Sequence, residues 1–423
     1  MINKIKKTVN TEEKKRLLSN FFSLSVLQVF TYILPLLTLP YLVRVLGVDK
    51  FGLVMFAQAF LMFFNVLVDY GFNLSATREI SIHRNDSKKV TEIFSSVMSI
   101  KVILLIVSFI ALTVLVFSFE RFSSDLELYY LSFLVIVGNA MFPIWYFQGM
   151  ERMKYITIVN IASRLMFTVL IFVIVHVPSD YIYVPLLNGL GSVAGGVISL
   201  YIIFYKFKQR FRFKGVKIKA YIKNGFHVFL SILSSTVLSA TPILLIGAYI
   251  GFTMAGYYSA FEKVISAVKS FFYIVNQTFF PRLSKVFSEA KGEYLVLWKK
   301  LSIYTVISSV ILTIFLYFSC SSLLSYYLGG NFIEYIYIFE ILSITIVLYT
   351  IINALGLNGL LVIGEHKYLS MSQVMPALVF ILISPMILVK LGFVPFLFVI
   401  ILVDLVIIVI RIYFFKRLLN GRS

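Results

Sequence analysis

Cysteine and histidine are nearly missing from this chain: 423 residues hold one Cys, Cys320, and four His. One cysteine permits no intrachain disulfide, and because it lies in an apolar run it says little about redox compartment. No zinc-type Cys/His grouping, no glycine-rich phosphate loop with its lysine, and no Asp-x-Asp pair of the sort that holds a metal–sugar-nucleotide is present. Neither a metal nor a cofactor is therefore expected, and ATP hydrolysis is excluded. His176 and Asp180 form a His-x-x-x-Asp spacing, but in a short external loop they read as two interfacial polar residues. Charge is scarce too, at 13% of residues, and acids are scarcer than bases, 19 against 38. In a soluble protein a net charge of +19 would suggest a polyanion partner. Here 60% hydrophobic content leaves too few polar residues to cover a soluble surface, which excludes a nucleic-acid-binding domain. The apolar runs do not alternate with period two, so helix is the preferred reading over a β-barrel.

What is present is a series of apolar runs, each long enough at about 20 residues to cross a ~30 Å hydrocarbon layer as a helix. Twelve spans are expected, at roughly 20–43, 51–75, 93–119, 129–149, 155–176, 182–205, 225–249, 255–279, 301–327, 334–360, 369–389 and 395–415. Twenty-nine of the 38 Lys and Arg fall in alternate connections: the N-terminus, the even-numbered loops and the tail. Only Arg44, Lys50, Arg121 and Lys390 fall on the opposite side. Basic loops stay in the cytoplasm, so both termini are expected there. The first span is too long for a signal-peptide core and lacks a small-residue cleavage site, so it reads as a retained helix. The expected division is a basic N-terminus (1–19), a six-helix lobe (20–205), a basic linker (206–224), a second six-helix lobe (225–415) and a tail (416–423).

The two sets of six suggest a repeat. A shift of 204 residues pairs Asn20 with Asn224, Phe22 with Phe226, Gly47 with Gly251 and Gly52 with Gly256. Halves with an even number of spans share one orientation, so an axis along the membrane normal would relate them. The expected fold class is an all-α polytopic membrane protein: about twelve transmembrane helices in two six-helix lobes around a central cavity. That is a transporter architecture, working by alternating access. Pro35 and Pro40, Pro242, and Pro376 with Pro385 are expected to kink their helices, as hinges or as static bends.

Charges inside the spans are the candidate functional groups, because each is costly in hydrocarbon and usually faces protein or water. Arg164 stands near the middle of the fifth span, either facing the cavity or held in a structural pair. In the eighth span Glu262 and Lys269 are seven residues apart and share a face, with Lys263 about a quarter-turn away. Glu262 forms an internal pair or carries a coupling ion, and at least one lysine is left to line the cavity. Asp404 is central in the last span, a proton-carrying carboxylate or a partner to a base on another helix. Arg411 and Lys101 are expected to snorkel toward the cytoplasmic surface. Asp69 and Arg78 flank the cytoplasmic end of the second span, where Tyr70-Gly71-Phe72-Asn73-Leu74-Ser75 breaks the apolar pattern. Buried cations point to an anionic cargo.

Three strings in the first half carry a resemblance. They are Leu34-Pro35-Leu36-Leu37-Thr38-Leu39-Pro40-Tyr41-Leu42-Val43-Arg44-Val45-Leu46-Gly47, Asp69-Tyr70-Gly71-Phe72-Asn73-Leu74-Ser75-Ala76-Thr77-Arg78, and Trp145-Tyr146-Phe147-Gln148-Gly149-Met150-Glu151. With Gly256-Tyr257-Tyr258-Ser259, Glu262-Lys263 and Phe280-Pro281-Arg282 they make the chain similar to the O-antigen flippases, the Wzx family of the multidrug/oligosaccharidyl-lipid/polysaccharide exporter superfamily. The resemblance implies movement of an undecaprenyl-diphosphate-linked oligosaccharide from the cytoplasmic to the periplasmic leaflet of the bacterial inner membrane. It also implies the phospholipid bilayer as surroundings, and the polymerase and chain-length regulator of the same pathway as partners. By position, Arg44, Arg78 and Lys263 match basic residues of the family's motifs and join Arg164 and Lys269 as candidates for binding the cargo. Glu262, Asp404 and Asp69 are the candidates for ion coupling. Phe261 stands where the family often has a small residue and is expected to narrow the cavity. The competing readings are a cation-coupled drug exporter, which the deep Arg and Lys disfavour, and a membrane polymerase or transferase, which the short external loops disfavour.

Overall fold

The computed structural model describes residues 11–212 and 217–420, and among them there is helix and no strand. Of the expected basic segments, Lys4, Lys6, Lys7, Lys214 and Arg422 lie outside the described residues. The first helix, α1 (Thr11–Asp69), is two helices joined at Gly47, whose φ of 75° and ψ of 160° belong to no helix. Then follow α2 (Phe72–Ile82), α3 (Ser87–Ser118), α4 (Leu126–Met141), α5 (Ile144–Gly149), α6 (Met153–Ile174) and α7 (Tyr183–Tyr201). The second half holds α8 (Ile218–Tyr249), α9 (Phe252–Glu289), α10 (Lys291–Leu328), α11 (Ile336–Leu355), α12 (His366–Leu391) and α13 (Phe393–Asn420). Among the described residues ten stretches are long and apolar enough to cross a membrane, and the chain is an all-α polytopic membrane protein. α9 is as long but is interrupted by Glu262, Lys263 and Lys269.

α8 runs on through Pro242, and α12 through Pro376 and Pro385. Helix is broken at other positions. Between α1 and α2, Tyr70 and Gly71 both have positive φ, 47° and 73°. Between α4 and α5, Phe142 and Pro143 leave the helical region. A π-helical turn, Gly356–Leu361, ends α11.

The helices pack into two compact units. One comprises the described residues up to Pro35 with Leu61–Ile232, the other Leu36–Phe60 with Leu233–Ser423. The divisions therefore fall inside α1 and α8, outside the linker 206–224.

In the first unit α7 lies directly against α4, and glycines set the approach. A Cβ on Gly138 would stand 2.2 Å from the carbonyl carbon of Ser192, and one on Gly196 would stand 2.6 Å from Met141 Cβ. Close backbone approach through small residues is how helices associate in lipid, where no hydrophobic effect drives them together. The ends of α3 and α5 share an aromatic core in which Phe94, Trp145 and Phe147 are fully buried. The linker is tied to α3 in the same unit. Gln209 Nε2 donates to Thr91 Oγ1, and the Arg212 and Lys217 amides donate to Ser95 and Ser96.

In the second unit the turn at Gly47 meets the turn at Gly251. A Cβ on Gly52 would stand 1.8 Å from the Phe252 carbonyl oxygen, and one on Gly256 would stand 2.2 Å from that of Val48. Asp49 accepts a 2.9 Å bond from Thr253, a residue 204 positions away. The offset that paired the glycines in sequence also relates the residues that touch, so each turn offers the other the same glycine-for-carbonyl contact.

Candidate functional site

Four half-buried charges gather in the second unit, carried by α9 and α13. Glu262 Oε1 accepts a 2.5 Å hydrogen bond from Ser266, one turn along its own helix. Lys263 feels the charge of Glu262 beside it in the chain. Lys269 lies two turns on, its ammonium 5.9 Å from the centre of the Tyr349 ring on α11, a cation–π distance. Asp404 feels the charge of Lys269 from another helix and that of Arg411 from its own. Among the described residues, no N–O contact within 4 Å joins any of these four charges. The shared face expected for Glu262 and Lys269 exists, but the acid facing Lys269 is Asp404, a tertiary pairing that no sequence spacing expresses.

Arg411 does not snorkel. It is 3% exposed, and its Nη1 donates to the Ile352 carbonyl at 2.5 Å while its Nε donates to Ser372 at 3.1 Å. The slot exists because Gly356 begins the π-helical turn; a Cβ there would stand 2.1 Å from Nη1. The guanidinium's fixed fork satisfies two acceptors at once, which suits Arg and not Lys.

Lys101 does not snorkel either. It is 2% exposed and its Nζ lies 3.0 Å from Asp69 Oδ1 in the first unit. The reason is depth: α3 starts at Ser87, so Lys101 lies several turns into the helix. The other Asp69 oxygen accepts a 2.8 Å bond from Asn73, so both carboxylate oxygens are engaged.

Of the remaining candidates, Arg164 is half-buried near the middle of α6. Arg44 donates to the carbonyls of Tyr326 and Tyr327, at 2.7 and 3.1 Å, in the last turn of α10. Arg78 is exposed on α2. Phe261 does not narrow an open space: it is fully buried, 5.5 Å from the Phe332 ring and 6.1 Å from that of Phe339. The Trp145–Glu151 string also has a packing role. A Cβ on Gly149 would stand 2.6 Å from Ile80 Cβ, and Glu151 closes a 2.7 Å ion pair with Arg84. No group of three or more His, Cys, Asp or Glu able to hold a metal occurs among the described residues.

Sequence reasoning passed over two amide pairs. In the first unit Asn139 Nδ2 donates to Asn65 Oδ1 at 3.0 Å. In the second, Asn358 Nδ2 donates to Asn276 Oδ1 at 2.7 Å with both residues buried. The available signal was proximity to a break. Asn65 and Asn139 each precede one by about a turn, and Asn358 sits inside the π-helical turn.

The profile of a family described as "Polysaccharide biosynthesis protein" matches residues 17–287. A protein of Escherichia coli (strain K12) named "Putative O-antigen transporter" is 30% identical over 358 residues, 84% of this chain and 85% of that protein. One of the same name from Shigella dysenteriae is 28% identical over 361 residues, covering 83% and 88%. Among solved structures, the inward-facing conformation of a multidrug resistance MATE family transporter of the MOP superfamily superposes with a TM-score of 0.63. It is 13% identical and covers 95% of this chain and 97% of that one. A MOP superfamily transporter from Pyrococcus furiosus, described by the reversed polarity of its binding pocket, superposes with a TM-score of 0.55. It is 15% identical and covers 95% and 94%. At these identities the structural likeness carries the fold alone.

Proposed function

Because this chain belongs to the family of polysaccharide biosynthesis proteins, we propose that it is a flippase for a lipid-linked oligosaccharide, the precursor of O-antigen or a related surface polymer. Its cargo is an undecaprenyl-diphosphate-linked repeat unit, moved by alternating access from the cytoplasmic to the periplasmic leaflet of the inner membrane. The observation that carries the proposal is the uncapped charge of the second unit. Lys263 and Lys269 lie half-buried with no carboxylate in contact, so they remain available to an anionic headgroup.

A diphosphate suits them, because phosphate oxygens accept charge-assisted hydrogen bonds from several ammonium groups at once. Arg164, in the first unit, is a separate candidate for contact with the cargo. Glu262 and Asp404 are the candidates for ion coupling. Each is held by a neighbour that leaves it room to change state: a hydroxyl for Glu262, and two cations at a distance for Asp404. A drug exporter for cations would need an acid-lined site, and the lysines supply the opposite sign. Transport, not catalysis, is also what the names of the relatives describe.

The test deletes the gene in its host and locates the lipid-linked repeat unit. Completed single units trapped facing the cytoplasm, with surface polymer lost, are the expected result. Units that reach the outer leaflet unpolymerised would place the protein after flipping and sink the proposal.

A further inference from the structure

Beyond the first turn of α4, Asn139 is the one exposed residue. Its neighbours Gly138 and Ala140 are buried, while Asn139 is exposed. It stands just past the middle of the apolar stretch Leu126–Gly149, where a lipid-facing amide would have no water to bond. An exposed amide at that depth therefore faces water. Its partner Asn65, half-buried on α1, reaches the same place from another helix of the first unit. Both helices break about one turn further on, α1 at Tyr70–Gly71 and α4 at Phe142–Pro143. The breaks themselves are buried in the packed core of the unit, so they hold the two helix ends in place and leave the amides beside them on the exposed side.

The pair's chemistry selects the ligand. One hydrogen bond joins Asn139 Nδ2 to Asn65 Oδ1, and neither side chain has another partner among the described residues. That leaves free N–H donors and free oxygen lone pairs on both amides, side by side. Exchanging oxygen and nitrogen on both amides leaves the same mixed complement of donors and acceptors. A phosphate has no use for the acceptors, and a polyprenyl chain has use for neither group. Adjacent hydroxyls of a sugar, each both donor and acceptor, match the two. We infer that Asn65 and Asn139 form a sugar-reading subsite of the first unit, contacting the oligosaccharide while cations elsewhere hold the diphosphate. This rests on the flippase reading and adds to it the residues that recognise the carbohydrate.

The test reconstitutes the full chain in vesicles and offers two probes. One is the complete lipid-diphosphate-linked repeat unit of the host; the other is the same lipid diphosphate carrying a single sugar. Asn139→Leu removes one amide of the pair. Asn65→Asp keeps the shape and the bond from Asn139 but replaces the free N–H donors of Asn65 with an acceptor, a control against misfolding. The expected result is a fall of about tenfold or more in movement of the complete unit for both variants, the worth of a hydrogen bond or two. Movement of the single-sugar probe should stay within about twofold of wild type, since it lacks the further sugars that the proposal assigns to the pair. Equal losses on both probes would assign the pair a structural role and overturn the inference, as would unchanged movement of the complete unit. If the wild-type chain moves neither probe, the flippase reading itself fails, a result that the variants cannot imitate.

Discussion

In the first unit the deep lysine is closed off: Lys101 is 2% exposed, in contact with Asp69, and Asn73 takes the carboxylate's other oxygen. In the second unit Lys263 and Lys269 are half-buried, with an aromatic face and distant carboxylates for company. Both arrangements put a cation inside the membrane, yet only the second leaves it bonding capacity. A closed pair makes a helix insertable and fixes its neighbours, whereas an open one can trade partners with a cargo. Sign and depth, which a sequence gives, do not separate the two cases; contact does.

The comparison breaks most easily at Asp69. Asp69→Ala strands Lys101 without a counter-charge, and losing one partner of a buried pair costs about 3–5 kcal/mol. Membrane abundance and the unfolding temperature in detergent should both fall, and Lys101→Met in the same chain should restore much of each. An abundant, stable Asp69→Ala protein that cannot transport would return Asp69 to the ion-coupling candidates.

Arg411 asks whether closure or location decides, for it sits in the second unit but is closed like Lys101. Arg411→Met leaves the Ile352 carbonyl and Ser372 short of a donor and removes one of the two cations near Asp404. A stability loss of about 2–3 kcal/mol is expected, with transport per folded molecule kept. Normal stability with transport gone would mean that location decides. Lys269→Met and Lys263→Met should do the reverse: about a tenfold or larger fall in transport, near 1.4 kcal/mol, with abundance unchanged. Lost abundance instead would make these lysines structural, and the contrast between the units would disappear.

Much of this was legible in the sequence, and the gaps have one physical origin. Apolar runs give the spans because a membrane imposes length and polarity directly on the chain. The glycine matches 204 apart were legible, and in the structure Gly52 and Gly256 are contact points between two turns. What stayed hidden is whatever depends on a neighbouring helix. Lys101 was misjudged because its helix begins earlier than its apolar run, and Arg411 because its slot is made by Gly356 on another helix. Asn65 and Asn139 drew no attention because a single neutral amide in a span costs little enough to pass as noise. The unit boundaries inside α1 and α8 leave no mark at all, since the apolar pattern runs on through Pro35, Phe60 and Ile232.

The smallest expected effect concerns Arg44, where motif position and geometry differ. Its place in the motif makes it a candidate for the cargo. The structure gives its guanidinium two carbonyls, those of Tyr326 and Tyr327 in the last turn of α10. Carbonyls at a helix C-terminus lack intrahelical partners and carry the negative end of the dipole, so a cation there is a cap. Capping energies at exposed ends are modest, and Arg44→Ala should lose about 0.5–1 kcal/mol of stability. Transport should change by less than about twofold, since one surface cation is worth little. Arg44→Lys tests the geometry, for an ammonium cannot span two carbonyls as the planar fork does, and it should fall between the other two. A tenfold transport loss in Arg44→Ala with stability intact would mean that Arg44 meets the cargo despite its bonds to α10. Contact with backbone would then no longer mark a cation as closed, and the same doubt would reach Arg411, whose Ile352 bond is of the same kind.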